Sequence, residues 1–139
     1  MYQFSASSMK RMVGVNDQLI AVFLEAIKVS LVDFGIPKDG GKRTETEQNF
    51  LYNKKVSNCD GINDISNHQT GNALDFYAYV NGKASWNKVH LALIASCILT
   101  VAKRMKKEGL IDIELKWGGT FGSNRFQGYD YPHIEIVKE

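Results

Sequence analysis

SNHQTGNALDFYAYV, residues 66–80, carries the clearest strand pattern in the chain and two of its most reactive side chains. From Ala73 onward the pattern alternates. Leu74, Phe76, Ala78 and Val80 share one side, and Asp75, Tyr77 and Tyr79 share the other, as a pleated strand with one buried face requires. Upstream, residues 53–67 are polar, with turn pairs at Asp60-Gly61 and Asn63-Asp64. They read as a long surface loop, a feature that compact folds often keep for function. Downstream, Gly82 turns the chain into a long helical pattern over residues 86–107, capped by Ser85 and stopped by Gly109. Residues 110–117 then read as a strand that Gly118-Gly119 breaks, and 133–137 as a closing strand.

The N-terminal third completes the frame. Leu19, Ile20, Phe23, Leu24, Ile27 and Leu31 fall at helical spacing within residues 16–32, with Asn16 or Asp17 as the cap. Residues 34–37 are a short strand ended by Pro37 and the Gly40-Gly41 turn. Thr44 with Glu47 three residues later is a capping box that opens a short helix. Strands and helices mix without regular alternation, which predicts the α+β class: a small antiparallel sheet backed by two main helices. No repeat or linker interrupts the chain, so residues 1–139 are expected to form one domain.

Composition excludes several classes of function. Seventeen basic side chains face fifteen acidic ones, a net charge of +2, too even for a nucleic-acid partner with its concentrated basic face. No apolar run approaches the roughly 20 residues that cross a bilayer. The first 17 residues lack the apolar core of a signal peptide. Cys59 and Cys97 form no CxxC pair and read as free thiols. A single domain of this composition is expected to act as a monomer.

Of three histidines, His90 lies beside the apolar stripe of the long helix and reads as a partly buried, hydrogen-bonded side chain. The other two keep different company. His68 stands seven residues before Asp75, and His133 follows Asp130 and precedes Glu135. Imidazole nitrogens and carboxylate oxygens are zinc ligands at about 2.0–2.2 Å. Seven residues of extended chain span about 23 Å, so His68 and Asp75 meet at one ion only if the chain folds back between them. Gly71 is the residue that permits the reversal. Two histidines and one carboxylate leave a fourth position open, the mark of a catalytic rather than a structural zinc. Spacing alone fits a solvated or hydrogen-bonded strand aspartate better than a ligand.

The block Ser66, His68, Gly71, Ala73, Asp75 resembles the SxHxxGxAxD signature of the LAS metallopeptidases, the D-alanyl-D-alanine carboxypeptidase superfamily. Three further segments follow the same family in order. Gly41-Lys42-Arg43-Thr44 with Glu47-Gln48 is similar to its GxRTxxEQ segment, Trp117-Gly118-Gly119 to its WGG, and Asp130, Pro132 and His133 to its last block. The stretch Phe4-Ser5-Ala6-Ser7-Ser8 with Gly14-Val15 resembles the branch of phage L-alanyl-D-glutamate endopeptidases. Thr120-Phe121 after WGG and the inserted-looking residues 122–128 depart from the family, and both concern the cleft rim.

The resemblance implies a Hedgehog/D-Ala-D-Ala peptidase-like fold, with Zn²⁺ held by His68, Asp75 and His133. It implies Asp130 as general base, and Arg43 and Ser66 as substrate-binding residues. Glu135 is the rival base, because on a strand it points to the same side as His133. Chemistry alone leaves both carboxylates open; the motif favours Asp130, with Glu135 as the hydrogen-bond partner of a ligand. The function so implied is that of an endolysin, cutting L-alanyl-D-glutamate bonds in peptidoglycan stem peptides. Such an enzyme is made in the host cytoplasm and reaches the wall through a membrane lesion made by another protein. The alternatives are a D-alanyl-D-alanine carboxypeptidase or dipeptidase on the same site, and a zinc-bearing module without turnover, as in the Hedgehog branch.

Overall fold

A computed structural model describes residues 1–121 and 130–138. Its helices are α1 (Ala6–Arg11), α2 (Asp17–Val29), α3 (Glu45–Asn53) and α4 (Lys88–Lys107). Its strands are β1 (Asp33–Gly35), β2 (Ala73–Asp75), β3 (Tyr77–Val80), β4 (Lys83–Ser85), β5 (Leu115–Trp117) and β6 (His133–Ile136). The fold is α+β, as the sequence predicts, but its strands make two antiparallel three-stranded sheets, ordered β1-β3-β4 and β2-β6-β5.

The division falls inside the segment predicted as one strand. At Phe76 the chain passes from one sheet to the other, and its N–H donates to the carbonyl of Pro132. Phe76 is fully buried among Phe23 and Phe34, whose rings meet it edge-on. The alternation of sides nevertheless holds along 73–80: Leu74, Phe76 and Ala78 are buried, while Asp75, Tyr77 and Tyr79 are not. The core is completed by Leu19, Val22 and Phe23 of α2 packing on Leu91, Ile94 and Ile98 of α4.

Local chemistry explains the shifted boundaries. α2 stops at Val29, and Leu31, predicted on its apolar stripe, is 87% exposed. Asn16 caps the helix, accepting the N–H groups of Gln18 and Leu19. Asn87, rather than Ser85, caps α4; the Ser85 hydroxyl pairs with His90 Nδ1 at 2.7 Å instead. The predicted strand 110–117 forms only over Leu115–Trp117, because the N–H groups of Asp112 and Ile113 are taken by the side-chain oxygen of Gln18. The Thr44–Glu47 capping box forms as read, and residues 54–72 contain no helix or strand. α1 was not legible; Ser5 starts it by accepting the N–H of Ser8. Residues 122–128, assigned to the cleft rim, lie outside the described part.

Candidate metal centre and cleft

Three elements converge on one point. Residues 66–72 form a tight reversal: the Ser66 hydroxyl accepts the His68 N–H, Gly71 N–H reaches the His68 carbonyl, and Asn72 N–H the Asn67 carbonyl. Gly71 sits at φ +77°, where a side chain is strained, and a Cβ there would lie 2.8 Å from the Gly14 carbonyl oxygen. The reversal brings His68 back over the end of β2, where Asp75 stands. Asp75 is paired in register with His133 of β6, so their side chains share one face.

The meeting atoms are His68 Nε2, His133 Nδ1 and Asp75 Oδ1. Nε2 lies 3.2 Å from both other atoms, and the Nδ1–Oδ1 distance is 3.0 Å. A tetrahedral ion with bonds of about 2.0–2.1 Å keeps its ligand atoms about 3.3 Å apart. The triangle therefore fits such an ion with only slight expansion. Both histidines are buried, and among the described residues these three form the group that can hold a metal.

The outer nitrogens of both rings are held by acceptors. His68 Nδ1 meets the Gly41 carbonyl at 2.9 Å, and His133 Nε2 meets Glu135 Oε1 at 2.8 Å. An N–H donated to each acceptor leaves the inner nitrogen with its lone pair aimed at the triangle, as a ligand needs. Burial would raise the Asp75 carboxyl, but the adjacent His68 and His133 outweigh it and hold Asp75 ionised well below the usual range. Burial would lower His133, but its bonds to Asp75 and Glu135 push it up to about 10 with no ion present, so the proton on Nδ1 must leave before that nitrogen can bind a metal. Glu135 is held below its ordinary value: burial acts upward and is overcome by His133 and Lys116. Asp130 moves the opposite way, raised by burial and by the charge of Asp75. Its Oδ2 lies 3.8 Å from His133 Nδ1, on the triangle side of the ring, with half of the side chain open to solvent.

Residues 1–137 match the family described as phage L-alanyl-D-glutamate peptidase. The chain belongs to that family. An L-alanyl-D-glutamate peptidase of Escherichia phage T5 is 26% identical over 144 residues, covering 98% of each chain. The crystal structure of the Serratia marcescens L-Ala D-Glu endopeptidase ChiX superposes with a TM-score of 0.79 at 27% identity, covering 98% of this chain and 90% of that one. The protein is thus a peptidase of the L-alanyl-D-glutamate bond, acting on peptidoglycan.

In the peptidase, all seven residues singled out in the sequence line one cleft of about 240 Å³: Arg43, Ser66, His68, Asp75, Asp130, His133 and Glu135. A larger groove of about 630 Å³ between α4 and β5 holds none of them, so size does not locate the chemistry. Arg43 donates to the Asp39 carbonyl, to Gln48 Oε1 and, at 3.0 Å, to Asp75 Oδ2. Its guanidinium thus orients the carboxylate of the triangle as well as facing the cleft. Gln48, fully buried, continues the chain of bonds to Ser57 Oγ and the Cys59 carbonyl on the rim. The sequence reading missed this tie; Phe121, which it assigned to the cleft rim, lines the cleft with its ring edge-on to His133. The signal for Gln48 was present in the resemblance to GxRTxxEQ.

Proposed function

We propose that the peptidase is a zinc endolysin of one catalytic domain, residues 1–139, acting as a monomer with His68, Asp75 and His133 as ligands. One observation carries this reading: three candidate ligand atoms lie 3.0–3.2 Å from one another, and a second carboxylate, Asp130, stands beside them. Bound there, zinc supplies Lewis acidity toward the scissile carbonyl and its attacking water. Asp130 Oδ2 takes the proton from that water and returns it to the departing D-glutamate amine. A raised carboxyl suits both transfers, because its carboxylate takes up a proton more readily than that of a strongly acidic group and can still release it near neutral pH. Glu135 keeps His133 in the tautomer that binds metal and does not itself meet the water.

Arg43 and Ser66 face the substrate. D-Glutamate in the stem continues through its γ-carboxyl, so a free α-carboxylate stands beside the cleaved amide, and a planar guanidinium is the group suited to it. Release through a membrane lesion made by another protein fits a chain with no helix long and apolar enough to cross a membrane among its described residues.

Elemental analysis with turnover on purified wall peptide tests the assignment. Wild type and Asp130→Asn should each hold one zinc, with Asp130→Asn losing about 10²- to 10⁴-fold in kcat. Glu135→Gln should keep more turnover and bind zinc more weakly. An active Asp130→Asn beside a dead Glu135→Gln that retains its zinc would reverse the two roles.

A further inference from the structure

The outer face of the β1-β3-β4 sheet carries an aromatic surface that the peptidase chemistry leaves unused. Tyr77 is paired in register with Gly35 of β1, and Tyr79 with Asp33 of β1 and Ala84 of β4. Continuing the β3–β4 register past Ser85 places Trp86 opposite Tyr77, on the same face. Their rings confirm it, with centroids 5.9 Å apart and planes tilted by 38°. A Cβ on Gly35 would lie 2.9 Å from the Tyr77 hydroxyl and 3.0 Å from Cζ. The Tyr77 ring therefore lies down across β1, which only a glycine there allows. Tyr79 is 46% exposed and Trp86 53% exposed, so large apolar planes face solvent on a sheet whose other side is core.

This face borders the turn that carries Asp130 and His133, although its rings do not line the cleft itself. Tyr77 stands two residues from Asp75 and on the same side of the 73–80 segment. From the other end, Lys88 begins α4 two residues after Trp86, and its ammonium sits over the Tyr131 ring, 5.1 Å from the centroid. Tyr131 belongs to the turn between Asp130 and His133. The aromatic surface thus runs up to the catalytic turn.

The substrate gives that proximity a meaning. In peptidoglycan the L-alanine of the stem is joined to the lactyl group of an N-acetylated sugar, so the bond cut lies one residue, about 3.5 Å of chain, from the glycan attachment. A glycan strand must therefore pass close to the cleft. Pyranose rings present flat faces of C–H groups edged by hydroxyls, and exposed aromatic planes with polar tips complement such faces. We propose that Tyr77, Tyr79 and Trp86 form a platform for the N-acetylated glycan strand, holding it while the first stem residue enters the cleft. The inference rests on the peptidase reading and names the part of the substrate that lies outside the scissile peptide.

The test compares wild type, Trp86→Ala, Trp86→Phe and Tyr79→Ala on intact wall and on a sugar-free stem peptide. Trp86→Ala should cleave intact wall about tenfold more slowly, the loss expected from uncovering one ring face, and should cleave free peptide at the wild-type rate. Trp86→Phe should recover most of the wall activity. Titration with peptide-free N-acetylglucosamine oligomers should shift indole fluorescence saturably in wild type and in the Asp130→Asn variant. Equal loss on both substrates by Trp86→Ala, or no saturable change with the oligomers, overturns the platform. So does a dimer in solution that Trp86→Ala dissolves, which would assign the face to a second copy of the chain. Wild type failing on the free peptide while still binding the oligomers would instead count against the peptidase reading alone.

Discussion

The guanidinium of Arg43 faces two ways, and its position makes a prediction that a simple surface arginine would not. Three of its N–H groups are engaged by the Asp39 carbonyl, Gln48 and Asp75, and only a tenth of the side chain is exposed. A lysine keeps the charge but is a single point donor, so it cannot serve Gln48, Asp75 and a substrate carboxylate together. Arg43→Lys should therefore lower kcat/KM by roughly 10- to 100-fold, the scale of losing one or two charge-assisted hydrogen bonds. Steady-state kinetics on the stem peptide is the check, and near-normal values would reduce Arg43 to a structural turn residue. The candidate residues at this scale were legible because zinc and proton chemistry accept so few side-chain types. Their supports were not. The Gly41 carbonyl that holds His68 and the Asp39 carbonyl that holds Arg43 are backbone atoms, and a backbone contact leaves no residue type in the sequence.

Elements place these atoms, and here the reversal at residues 66–72 and the Asp130–His133 turn matter most. Gly71 was readable as the reversal point because two candidate ligands seven residues apart can meet at one ion only if the chain turns between them. The role of Gly118 was not, since it depends on a segment distant in sequence. Its carbonyl accepts the Asp130 N–H at 2.9 Å, and a Cβ on it would collide with the Asp130 carbonyl oxygen. Trp117 locks the same turn by donating its indole N–H to the Tyr131 carbonyl. Gly118→Ala must displace the Asp130 carbonyl, which also accepts the His133 N–H at 3.2 Å, but His133 is held besides by its pairing with β2 and by Glu135. The expected result is full zinc content, a folded protein destabilised by about 1–3 kcal/mol from overpacking, and a kcat loss approaching that of Asp130→Asn. Metal analysis beside turnover checks it, and a Gly118→Ala enzyme with wild-type kcat would show that the Asp130 position is not set by this contact. The same dependence on distant partners explains the shortened β5. Residues 110–114 have strand-like composition, but Gln18 of α2 takes the N–H groups of Asp112 and Ile113, and no local pattern announces that.

Across the whole molecule, the core and the metal centre are separate constructions. The core is built of side chains such as Leu19, Phe23, Phe76, Leu91 and Ile98, all at most 1% exposed, on α2, α4 and the inner faces of the sheets. The ligand triangle instead joins the 66–72 reversal, β2 and β6, at the mouth of a solvent-reaching cleft. A fold with its own core does not need the ion in order to form, in contrast to small domains that fold only around zinc. Binding to the folded state alone still adds stability by mass action, about 2.7 kcal/mol when free zinc is a hundredfold above its Kd. For a chain of 139 residues that corresponds to roughly 8 °C in Tm. Stripping the metal with a chelator should therefore lower Tm by about that amount and abolish turnover, while leaving a cooperative transition and the helical circular-dichroism signal. The decisive arm is the ligand variant. His68→Ala starts without the ion, so the same chelator should leave its Tm unchanged. Readdition of zinc should restore wild type and do nothing for the variant. An equal chelator effect on both proteins would mean that the stabilising ion sits somewhere other than the His68, Asp75 and His133 triangle.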